Sequence, residues 1–132
     1  MQVTRVLTTK RTMRAALAVL VAVAIWWCAE PWVLVPLAVL DHMETRYEPG
    51  APLSETRLVA LGSRAVPAII YHIRTCGTAP PSEWFLIDVL RSDGRSARAR
   101  LTRAVDHTAP GEERYRLGYA LLWAFGSCGR CQ

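Results

Sequence analysis

The sequence predicts an all-α protein, with one N-terminal transmembrane helix followed by a small helical domain of about five short helices. Three observations carry that prediction. An apolar run with a single charge spans residues 15–40, Gly and Pro cut the rest into helix-sized pieces, and no alternating run ends in a two-residue hairpin turn. The composition agrees: 132 residues, 52% hydrophobic, 20% charged and a mean hydropathy of +0.15. Such a chain is too apolar for disorder and too short for two domains plus a membrane bundle.

The net charge of +5 is unevenly distributed. Arg5, Lys10, Arg11 and Arg14 make residues 1–14 a basic tail without an acid, expected in the cytoplasm. Residues 41–132 carry 12 Arg against 10 acids, so the body is nearly neutral and gives little reason to expect a nucleic-acid partner. Fifteen of the 16 basic residues are Arg, which reads as compositional bias because no Arg-specific motif accompanies it.

Residues 15–40 are 26 in number and contain only Glu30 as a charge. At about 1.5 Å per residue they reach about 39 Å, against a hydrocarbon core of about 30 Å. Trp26, Trp27 and Trp32 cluster as an aromatic belt does, which places the far interface near residues 26–34 and Glu30 among interfacial groups. Pro31 and Pro36 are expected to kink or end the helix. A cleaved secretory signal is the rival, with Ala22, Val23 and Ala24 as the cleavage site. Cleavage there would leave the apolar stretch 25–40 on the mature terminus, so an uncleaved anchor is preferred. Cys28 follows two Trp residues where a lipoprotein signal needs a small one, which argues against lipid attachment. Four bases before Ala15 against Arg46 and Arg57 after Leu40 predict a cytoplasmic N-terminus and an extracytoplasmic C-terminal domain.

Residues 41–53, with Pro49, Gly50 and Pro52, read as a linker, and residues 54–126 as the helical domain. Ser54 can cap a helix that Gly62 ends. Val66, Ile69, Ile70 and Ile73 then mark one buried helix face, with Pro67 in its first turn and Gly77 at its end. Pro80 and Pro81 precede Glu83 to Arg91, a run so apolar that it is expected to be the most buried helix. Its length also fits a strand, and the flanking helical signals select helix. After the turn at Ser92, Asp93 and Gly94, an amphipathic helix places Ala97, Leu101, Ala104 and Val105 on one arc. Arg95, Arg98, Arg100 and Arg103 take the rest of its circumference, where they form a possible contact with an anionic surface and are otherwise solvated. Glu112 and Glu113 open a last helix that runs to Gly126. The expected core is Val66, Ile69, Ile70, Ile73, Leu86, Ile87, Leu90, Leu101, Leu117 and Leu121.

The stretch from Leu58 to Ile70, with Leu61-Gly62 ending one helix and Ala65-Val66-Pro67 starting the next, resembles the inter-helix turn of a HEAT repeat. The resemblance covers residues 54–77 and implies a surface that binds other proteins, with no catalytic residue to carry over. Stacked repeats need about three units for stability, so one HEAT-like hairpin inside a compact domain is the expectation.

Catalytic motifs are missing: the sequence has no phosphate-binding Gly loop, no paired carboxylates at catalytic spacing and no serine elbow. His72 and Cys76 share a helix face, and Cys128 and Cys131 pair in the tail 127–132, giving four residues of zinc-ligand type. The halves lie far apart in sequence and the Cys pair follows a helix end, which suits neither zinc nor thioredoxin-like chemistry. In an oxidising compartment, a disulfide from Cys76 to Cys128 or Cys131 is expected, with a bridge inside the terminal pair as the alternative. His42 and His107 read as solvated. The expectation is therefore a membrane-anchored, non-catalytic protein-interaction module, in contact with membrane lipid and a protein partner, without cofactor or small-molecule substrate. A thiol redox or metal-binding protein using His72, Cys76, Cys128 and Cys131 is the alternative.

Overall fold

A computed structural model describes residues 2–45, 53–76 and 84–126. Its elements are α1 (Gln2–Thr45), α2 (Leu53–Leu61), a 3-10 turn (Gly62–Arg64), α3 (Val66–Cys76), α4 (Trp84–Asp93), α5 (Arg95–His107) and α6 (Glu112–Phe125). The described residues contain no strand, and the fold is all-α as the sequence predicts. The chain divides into two compact units, Met1–Glu30 and Pro31–Gln132.

In the first unit, α1 leaves its apolar side chains uncovered. Leu17, Val19, Leu20, Val21, Val23, Ile25, Trp26 and Trp27 are all exposed, and at 100° per residue they point in every direction around the axis. A helix apolar on all sides belongs in a membrane or inside a large core. The segment Thr8–Asp41, which runs on from the first unit into the second, is long and apolar enough to cross a membrane.

The second unit begins inside α1. The helix passes through Pro31 and Pro36 and continues to Thr45, so neither proline ends it, and residues 41–45, expected as linker, are helical. The reason lies in what the continuation buries. Val35 is 1% exposed, Ala38 0% and Val39 7%, all within the apolar cluster formed with α2 to α6. Burying a valine contributes about 1.5 to 3 kcal/mol, which offsets much of the cost of about 3 kcal/mol for an interior proline. Trp32 meets Tyr71 of α3 edge-on, with ring centroids 5.4 Å apart. Ser54 lies within α2 and donates its hydroxyl to the Asp41 carboxylate of α1, so it is not the cap that the sequence suggests. Glu30, expected at a wetted interface, is only 4% exposed.

Beyond α1 the domain is built on α6, which packs against α3, α4 and α5, while α4 also meets α2 and the 3-10 turn. Gly62 (φ 56°) and Gly94 (φ 72°) make the sharp turns after α2 and before α5 in the left-handed region that L side chains avoid. Leu58, Ile69, Ile73, Leu86, Leu90, Leu101 and Leu117 fill the centre and are fully buried. Ile70 and Leu121, expected in the core, lie only partly buried at its edge.

Two arginines have a role that the composition conceals. Arg91 donates from Nε to the Ala124 carbonyl at 3.2 Å and from Nη2 to the Trp123 carbonyl at 2.8 Å, closing the end of α6. Arg116 donates from Nη1 to the Arg74 and Thr75 carbonyls at 3.2 and 2.9 Å, closing α3, while its Nη2 pairs with Glu112 at 2.6 Å. Helix C-termini present carbonyls without intrahelical donors; Arg91 satisfies two through separate nitrogens of its guanidinium, and Arg116 two through Nη1 alone. These contacts give two of the arginines a structural role. Arg116→Ala is expected to cost about 1.5 to 3 kcal/mol, and Arg116→Lys to recover part of that, because one ammonium can serve the two carbonyls that Nη1 serves but not the Glu112 carboxylate as well. Thermal melting of the three chains in one neutral detergent checks this.

Candidate interaction surfaces

The thiol and imidazole set is not assembled among the described residues. His72 is half-buried on α3 and Cys76 is exposed at its end, with the Thr75 hydroxyl 3.6 Å from its sulfur. Cys128 and Cys131 lie outside the described residues, and with them both expected disulfides. Among the described residues, no group of three or more His, Cys, Asp or Glu side chains could hold a metal ion.

The α5 arginines form two sets. Arg100 and Arg103 stand with His107 on the side facing α3, where they line a shallow groove with Pro67, Ile70 and Ala104. Arg95 and Arg98 do not line this groove. Arg100 also reaches the Ser63 carbonyl at 3.4 Å, whereas the Arg103 guanidinium has no hydrogen-bond or ion-pair partner among the described residues. His107 is held through Nδ1, 2.8 Å from the Arg103 carbonyl oxygen.

The third surface is one that the sequence reading passed over. Tyr115, Tyr119 and Trp123 recur every four residues on α6 and lie side by side, with centroid separations of 6.4 and 5.8 Å. Tyr115 is 73% exposed and Trp123 48%, and Leu122 next to them is also exposed. The core side of α6 is Leu117, Ala120 and Ala124. The expected core names Leu117 and Leu121 of α6 and leaves these aromatics unassigned. The signal of the ridge was present: the aromatics fall at i, i+4 and i+8, while the core residues fall at i, i+3 and i+7 of a different face.

No protein-family model, curated protein or solved structure matches the chain, so the functional reading rests on these surfaces.

Proposed function

We propose that the protein is a single-pass membrane-anchored, non-catalytic interaction module, with its N-terminus in the cytoplasm and its helical domain on the outer side. The observation that carries this reading is apolar surface left outside the core, on both the first unit of α1 and the ridge of α6. The first is the surface a bilayer would cover. The second is made of Tyr and Trp, which give large contact areas at little entropic cost and are enriched among the residues that dominate protein interfaces. The HEAT-like turn at Gly62 to Pro67 supports the same reading, because helical hairpins of that kind present surfaces to partners.

Two measurements test it. Reporter fusions after Gln132 are expected to be active only outside the cytoplasm, and activity confined to the cytoplasm would reverse the orientation. In a pull-down of the full chain from solubilised membranes, Tyr119→Ser/Trp123→Ser is expected to reduce a retained partner roughly thirtyfold or more, since a single aromatic hot spot already carries about 2 kcal/mol. Equal retention by wild type and variant would remove the α6 ridge as the docking face.

A further inference from the structure

The groove between α3 and α5 combines two chemistries. Its floor is apolar, formed by Pro67, Ile70 and Ala104, and its rim carries the guanidinium groups of Arg100 and Arg103 and the His107 imidazole. Among the described residues, no carboxylate lines it. Its volume of about 600 Å³ falls within the range of about 300 to 1,000 Å³ typical of small-molecule sites. Ile70 is half-buried and so leaves part of its side chain to the groove. Arg103 is aligned by nothing else in the described protein. A ligand complementary to both parts is an amphiphile, anionic at one end and hydrocarbon at the other.

The position of α3 indicates where such a ligand would come from. Tyr71, the residue after Ile70, meets Trp32, which belongs to the tryptophan cluster of α1, and Arg74 lies 5.4 Å from the centre of the Tyr71 ring. Tyr, Trp and Arg together are what the headgroup layer of a bilayer collects. The wall of the groove is thus the helix that carries this contact within the second unit. We propose that this groove holds one anionic phospholipid of the membrane in which α1 is anchored, its phosphate between Arg100 and Arg103 and the upper part of one acyl chain over Ile70 and Ala104. The proposal rests on α1 being a membrane anchor, and it is independent of the protein partner.

The test is a titration of the full-length chain in neutral detergent with phosphatidylglycerol, with bound lipid counted by native mass spectrometry. Wild type is expected to bind one lipid saturably and to prefer it to phosphatidylcholine. Arg100→Gln/Arg103→Gln is expected to weaken binding roughly thirtyfold, and Arg103→Gln alone roughly fivefold. The single variant removes no contact of the fold, so its result stands even if the double variant melts. Arg95→Gln/Arg98→Gln deletes the same charge from the same helix and is expected to change binding less than about threefold. Equal weakening by the two double variants would overturn the groove in favour of a diffuse field. Displacement of the lipid by equimolar glycerol 3-phosphate would overturn the amphiphile, since the apolar floor would then contribute nothing. Displacement by a soluble acidic peptide at lower concentration than the lipid would assign the site to a protein instead. Alkaline carbonate extraction reads the anchor separately. A chain that stays with the membrane yet binds no phosphatidylglycerol sinks the groove alone, and a chain that washes off sinks the anchor.

Discussion

Ala38→Arg is expected to abolish the cooperative unfolding of the domain, although residue 38 lies within the sequence run that reads as membrane anchor. Ala38 is fully buried in the cluster shared with α2 to α6. An arginine there overpacks the site, at about 1 to 3 kcal/mol, and carries an unpaired charge into it, at several kcal/mol more. Domains of this size hold about 5 to 15 kcal/mol of net stability, so a loss of this size takes most or all of it. Leu40→Arg, two residues on and 56% exposed, places the same charge outside the core and is expected to leave the melt cooperative. Circular dichroism and limited proteolysis of both variants in one detergent check the contrast. Identical melts would mean that residues 31–45 are not part of the domain.

The second large effect separates two neighbouring isoleucines. Ile69→Ala is expected to cost about 2 to 5 kcal/mol, because Ile69 is fully buried and close-packed on all sides. Ile70→Ala is expected to cost about 1 to 2 kcal/mol, because its side chain is only partly covered and the groove beside it can relax. Sequence periodicity places both on one apolar arc and gives them equal weight. Denaturant unfolding with unchanged slopes would measure the two costs, and equal losses would show that the groove face of α3 is as tightly packed as its core face.

Local signals carried the architecture far. Gly62 and Gly94 sit where the chain needs left-handed turns, and Ile69, Ile73, Leu86, Leu90, Leu101 and Leu117 are buried as their spacing predicts. The misreadings share one cause, which is that competition between local rules is settled by tertiary contacts. Pro31 and Pro36 read locally as helix breakers, and the burial of Val35, Ala38 and Val39 outweighs them. Ser54 reads as a cap, and its hydroxyl goes to Asp41 instead. Arg91 and Arg116 read as surplus charge because their carbonyl partners are 32 to 42 residues away in the chain. Of the candidate surfaces, the α5 arginines were visible as a face, but only the placement of α3 separates Arg100 and Arg103 from Arg95 and Arg98. The α6 ridge stayed hidden because aromatic residues fit equally well into a core.

The extension of α1 into the core also bears on how the protein is made. Residues 31–45 leave the ribosome before any other part of the domain, yet Val35, Ala38 and Val39 stay uncovered until α2 to α6 have been synthesised. If insertion into the bilayer captures the segment just before them, the first piece of the core waits at the membrane surface and later helices collapse onto it there. Biogenesis would then have a fixed order, in which insertion precedes folding and the membrane holds the nucleus in place. A domain released from the bilayer during synthesis would have to find that same strip again, with a long apolar helix competing for every sticky surface nearby.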